Sequence, residues 1–228
     1  MQIPLDIPIT IAVSAAFVLG AQHALEPDHV VAISTMATRN SSILRSLMTG
    51  SIWGLGHTIA LLVVGMLLIL LRVQLPLSIA NSFELAVGFM LVVLGLWTLA
   101  SMKEKKLHLH THSHNGATHT HIHSHSETES HEHAHVPFSV GVVHGLAGSG
   151  AMVVLVMSSM TDVLQGFFFI VSFGLGLILA MSLIASVLGV PSALGGKLSA
   201  VIGPLFSSGA GLLSMSLGTF IILSFFAQ

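Results

Sequence analysis

From Ser46 to Leu71 the chain runs without a single Asp, Glu, Lys or Arg. A helix needs about 20 predominantly apolar residues to cross the hydrocarbon core of a bilayer, and this stretch supplies them. Five further stretches read the same way, near 7–25, 80–101, 138–160, 164–189 and 200–226, and Glu84 is the one acidic or basic residue inside any of them. Only 7% of the residues are charged, whereas a soluble domain carries about 25%, so these stretches are not the core helices of a soluble protein. Backbone polar groups in lipid must be satisfied internally. The expected fold class is therefore all-α, an integral membrane protein of about six transmembrane helices. Cysteine is absent, which leaves out disulfides and thiolate ligands. The N-terminal stretch lacks the basic region of a cleavable signal, so the first span is expected to be retained.

The breaks between spans carry polar and turn-forming residues: Arg39-Asn40-Ser41-Ser42 after the first, Arg72 to Pro76 after the second, Gly189 to Lys197 after the fifth. Between spans three and four lies a polar tract, Lys103 to His135, with eleven of the fifteen histidines. It has too little apolar surface to bury a core, so disorder is expected without metal. Several imidazoles at flexible spacing can wrap one ion; a low-complexity linker without a role is the plain alternative. Arg39, Arg45, Lys103, Lys105, Lys106 and Lys197 fall after spans one, three and five, and Arg72 alone falls on the other side. Basic residues favour the cytoplasmic side, which puts both termini outside and the histidine tract in the cytoplasm.

A three-helix unit recurs. Phe17, Gly20, His23 and Leu25 match Phe138, Gly141, His144 and Leu146 at an offset of 121. Gly54-Leu55-Gly56 matches Gly174-Leu175-Gly176 at 120, and Gly88, Leu94 and Gly95 match Gly211, Leu217 and Gly218 at 123. Three spans per unit is an odd number, so the two halves must insert with opposite topology, a recurring plan for secondary transporters. The expected organisation is a first repeat over 1–102, the histidine-rich loop over 103–136 and a second repeat over 137–228.

The chemistry concentrates in His23-Ala24-Leu25-Glu26-Pro27-Asp28-His29, at the end of the first span. Ionisable groups at the bilayer centre cost about 2.5–3.5 kcal/mol each on insertion scales, and are functional by default. In a straight helix Asp28 and His29 would point about 140° and 120° away from His23, at 100° per residue. Pro27 removes the N–H that the carbonyl of His23 would receive. A break there would let both imidazoles and Asp28 converge on one ion. His57, in Gly54-Leu55-Gly56-His57-Thr58, sits among apolar residues beside glycines that admit a neighbouring helix. Three imidazoles and a carboxylate suit nickel, cobalt or zinc without separating them. Glu26 is a weaker candidate, with water, Arg39 or Arg45 as alternative partners. His144 is a possible contribution from the second half, or a hydrogen-bonding link to a neighbouring helix. Trp53 and Trp97 read as packing or interfacial anchors, and Glu84 and Asp162 as residues near span ends.

These motifs resemble the nickel/cobalt permease superfamily, whose signature is His, four residues, then Asp-His in a membrane helix. His23, Asp28 and His29 have that spacing, and Gly56-His57-Thr58 is similar to its second motif, Gly-His-Ser/Thr. The further acidic motifs of full-length permeases are missing; the compact form and Val143 to Gly150 are more similar to the urease-accessory nickel permease branch. The resemblance implies that His23, Asp28, His29 and His57 bind the ion on its path. It implies a secondary permease for Ni2+ or Co2+ and not an enzyme, with the ion as cargo and no cofactor. The expected membrane is the bacterial inner membrane. Expected partners are the bilayer, the divalent ion, and a cytoplasmic metallochaperone or a urease or hydrogenase maturation system, with no nucleic acid. Uptake is the leading reading and efflux the alternative. A membrane metallo-enzyme lacks the His-Glu-x-x-His motif, and no phosphate-binding Gly-x-x-x-x-Gly-Lys-Ser/Thr loop is present. A metal sensor built on the histidine tract is the remaining rival.

Overall fold

The structure is a computed structural model that describes residues 9–71, 73, 76–104, 108–114, 117–123, 135–146, 163–194 and 196–227. In chain order the elements are α1 (Ile9–His23), α2 (Pro27–Ala37), α3 (Ile43–Leu71), α4 (Leu77–Glu104), β1 (His108–His114), β2 (Ala117–His123), α5 (His135–Leu146), α6 (Val163–Ala193) and α7 (Gly196–Phe226). Ile43–Leu71, Ser78–Met102, Val163–Ala193 and Val201–Phe226 are long and apolar enough to cross a membrane, and Thr10–His23 is a shorter apolar helix. The chain is a multi-pass membrane protein.

Its burial pattern is that of a protein dissolved in lipid. On α3, Ser46, Thr49, Trp53 and His57 follow each other at helical spacing and are buried, whereas Leu47, Leu55, Val63 and Leu67 face outward. In water that arrangement would expose apolar surface and hide polar groups, the reverse of what the hydrophobic effect favours. The interior around the polar stripe is closed by Ile33, Leu91, Ile170, Phe173, Leu177 and Met181.

The first span is not one helix. After α1 the backbone tightens into i→i+3 bonds, with the Leu25 N–H donating to Gln22 O (2.9 Å) and the Glu26 N–H to His23 O (3.0 Å). Glu26 is extended (φ −60°, ψ 143°) and caps α2, with Pro27 in its first turn. A proline disfavours the helical region for the residue before it and is well placed at the start of a new helix. The break thus lies at 24–26, and the carbonyl of His23 accepts the Glu26 N–H instead of going without a partner. Of the fourth expected span only α5 is described; residues 147–162, with Asp162, lie outside the described residues. The histidine tract departs from the expected disorder: β1 and β2 pair antiparallel, with His108 opposite His123, His110 opposite His121 and His112 opposite His119. The sequence Asn115-Gly116 between them is the dipeptide most favoured in two-residue hairpin loops, and threonine recurs on both strands.

Helix packing crosses between the halves: α1 lies on α6, α5 on α3 and α4 on α7. Glycines make these approaches possible. A Cβ on Gly20 would strike the carbonyl of Phe173, and one on Gly141 the carbonyl of Trp53. Likewise Gly56 meets Phe138 and Gly176 meets Phe17, Gly54 meets Ile178 and Gly174 meets Thr58, while Gly88 and Gly218 face each other, as do Gly95 and Gly211. The α2–α3 corner is tied down by polar groups. Ser207 Oγ donates to the carbonyl of Thr38 (3.2 Å), Asn40 Nδ2 donates to Thr49 Oγ1 (3.0 Å), and the Arg39 guanidinium stacks over Trp97 at 4.0 Å.

Candidate metal-binding site

Four of the sequence-selected histidines meet at the break. His23 ends α1, His29 lies in the first turn of α2, His57 sits midway along α3 and His144 lies in the last turn of α5. All four are buried. The rings of His23 and His29 are 4.5 Å apart between centroids, His23 and His57 5.3 Å, His29 and His57 5.3 Å, and His29 and His144 5.0 Å. One nitrogen from each of His23, His29 and His57 lies within 4.8 Å of the other two. Two imidazole nitrogens sharing one ion at about 2.0–2.1 Å each would be about 3 Å apart, so a modest inward movement of three side chains would complete a ligand set.

The carboxylates line one edge of this nest. His23 Nδ1 bonds Glu26 Oε1 at 2.8 Å, and His29 Nδ1 bonds Asp28 Oδ1 at 3.0 Å with Glu26 Oε2 3.9 Å away. His144 Nε2 is 3.8 Å from Asp28 Oδ2. Glu26 therefore turns to His23 and His29. Glu26, Asp28 and His29 form a second group whose ligand atoms lie within 4.8 Å of one another. Opposite the carboxylates the nest is apolar. Phe173 packs on His23 with centroids 5.3 Å apart, and Trp53 lies 5.1–5.2 Å from His29, His57 and His144.

Among the described residues, His29 Nε2, both nitrogens of His57 and Trp53 Nε1 are buried without a hydrogen-bond partner. Leaving such a group unsatisfied costs about 1–3 kcal/mol. Buried unpaired polar atoms are few in folded proteins, and a cluster of them calls for a role such as an ion that they bind. The donor set is nitrogen and oxygen without sulfur, which fits nickel, cobalt, zinc or copper and not a soft thiolate-seeking ion.

Sequence reasoning passed over Trp53 as packing or anchoring, yet it is fully buried and touches three of the four imidazoles. The signal was its place four residues before His57, which puts the two on one helix face. His144 reaches the site from the other half of the chain.

No protein-family model matches the chain, and no solved structure matches it. It is 35% identical over 181 residues to the urease accessory protein UreH of Bacillus sp. (strain TB-90), covering 79% of this chain and 77% of that one. It is also 27% identical over 176 residues to the Arabidopsis thaliana chloroplast protein FOR GROWTH AND FERTILITY 1, covering 76% of this chain. A match of 27% over 167 residues to FOR GROWTH AND FERTILITY 2 of the same plant covers 72% of it. The aligned regions span 48% and 43% of those two plant proteins, less than half of each. The extent and identity of the first match show that the chain belongs to the UreH family, the branch of the nickel/cobalt transporters to which its motifs pointed.

Proposed function

We propose that this protein is a secondary permease that takes up a divalent transition-metal ion, Ni2+ or Co2+, through the site where α1 breaks into α2. The observation that carries this reading is the trio His23, His29 and His57, buried in lipid-facing helices with nitrogens that lack partners among the described residues. Such a group is costly in a membrane protein unless a polar cargo passes it. Irregular backbone at that depth belongs beside a cavity or a protein interior, as at 24–26. Asp28 and Glu26 supply negative charge for the ion, and His144 adds a ligand from the second half. Kinship with a urease accessory protein supports nickel as the cargo.

The two inverted three-helix repeats belong to the same proposal. The glycine contacts support it because they come in matched pairs. The contact of Gly20 with Phe173 corresponds to that of Gly141 with Trp53, and that of Gly56 with Phe138 to that of Gly176 with Phe17. Shifting one partner of each pair up and the other down by 120 or 121 residues turns one contact into the other. Transport then follows from one half rocking against the other about the central site. For a divalent ion entering a cell at −100 mV the potential supplies about 4.6 kcal/mol, twice the value for a single charge, so uptake needs no further coupling.

The test is radioactive nickel accumulation in cells expressing the protein beside its His57→Ala variant. Accumulation above the vector control that the variant loses is the expected result. Accumulation below the control would make the protein an exporter, and equal accumulation by the variant would remove His57 from the path.

A further inference from the structure

The two ligand groups at the break share one residue, His29, and differ in everything else. Glu26 and Asp28 keep 35% and 25% of their side-chain surface exposed, and Leu25 beside them is exposed as well. His23, His29 and His57 are buried and offer only neutral nitrogen donors when unprotonated. The nitrogens of His29 are divided between them. Nδ1 bonds Asp28 and faces Glu26, whereas Nε2 is buried with no hydrogen-bond partner among the described residues.

Building on the permease reading, we propose that Glu26, Asp28 and His29 Nδ1 form a distinct outer metal position, from which the ion passes by way of His29 to an inner position formed by His23, His57 and His29 Nε2. Two carboxylates neutralise the ion while it still holds water, which hard hydrated divalent ions give up reluctantly. The imidazoles then replace the remaining waters with nitrogen ligands, which nickel and cobalt accept and magnesium and calcium do not favour. A neutral inner position also binds a +2 charge less firmly than a carboxylate-rich one would. Passage through a membrane requires binding strong enough to capture the ion and weak or divided enough to release it. Dividing the charge-neutralising ligands from the selective ones meets both needs with seven residues of sequence. Glu26 is the residue peculiar to the outer position, since Asp28 also faces His144.

The experiment follows quenching of Trp53 fluorescence on mixing with Ni2+. It uses the full chain carrying Trp97→Phe, so that the indole against His29 and His57 is the reporter; the chain has two tryptophans. Glu26→Gln keeps an oxygen that can accept from His23 Nδ1 but removes the charge. The outer position predicts that this variant slows both quenching and its reversal on chelation about tenfold, with the equilibrium midpoint within about twofold of the parent. Nickel uptake by proteoliposomes at subsaturating concentration falls in step with the loading rate. A raised midpoint with unchanged loading would make Glu26 an ordinary ligand of a single site and overturn the two-position path, as would unchanged rates and midpoint. If the parent chain itself transports no nickel, or transports it without needing His57, the permease reading fails instead.

Discussion

His57→Leu should make the protein more stable and inactive at once. His57 is fully buried and neither ring nitrogen has a hydrogen-bond partner among the described residues. A neutral imidazole carries one donor and one bare acceptor, so at about 1–3 kcal/mol for each unsatisfied group the folded apoprotein bears about 2–6 kcal/mol. Against this, leucine gives up ring contacts with His23, His29 and Trp53, worth about 0.5–1.5 kcal/mol for a well-placed aromatic pair. The net expectation is a gain of about 1–4 kcal/mol. Leucine has a precedent of size and shape in the same chain. Gly54-Leu55-Gly56 repeats as Gly174-Leu175-Gly176, and the residue that follows is His57 in one case and Leu177 in the other, with Leu177 fully buried. For a domain of this size each kcal/mol moves Tm by about 2–4 °C, so metal-free protein in detergent should melt at least about 2 °C higher. Thermal melting with chelator present, paired with nickel uptake, gives both readings. A variant that melts several degrees lower would show that the imidazole holds the fold together through bonds to the protein, and the argument from unsatisfied nitrogens would be refuted.

Gly141→Ala places a methyl against the carbonyl of Trp53 and should cost about 1–3 kcal/mol by overpacking. Gly209→Ala, with nothing within 4 Å of the added atom, should melt like the parent; a large effect there or none at Gly141 would contradict the packing described. Trp53→Ala removes the wall shared by three imidazoles and should cost about 3–5 kcal/mol, while Trp53→Phe should keep most of the stability but loosen nickel binding, as read by titration. Pro27→Ala lets α1 run towards α2, so nickel affinity should fall without a fall in Tm; unchanged affinity would mean that the break does not depend on the proline.

The break itself was legible in the chain because its cause is local. A proline constrains the residue before it wherever it stands, and Glu26 is extended for that reason. Long apolar stretches likewise announce membrane helices from composition alone. What could not be read was which helix lies on which. Glycines within apolar helices advertise a close approach without naming the partner, so the lodging of Gly20 against Phe173 and of Gly141 against Trp53 depends on contacts more than 80 residues apart in sequence. Trp53 was misjudged for the same reason, since its neighbours His29 and His144 arrive from α2 and α5. In the histidine tract attention to polarity hid a turn signal, Asn115-Gly116, flanked by strands that alternate histidine with other residues.

The exchange of partners between halves also sets the order in which the molecule can be made. α1 lies against α6, and the residues that meet, Gly20 and Phe173, are separated by most of the chain. At about 5–20 residues per second of synthesis, the ribosome needs roughly 8–30 s after Gly20 before Phe173 exists. During that interval the glycine face of α1 has no mate, and His23 has neither Phe173 beside it nor His144 across the nest. A nascent chain therefore holds the acidic edge of its metal site well before it holds the walls, and the pathway for the ion closes only when the second half is in the membrane.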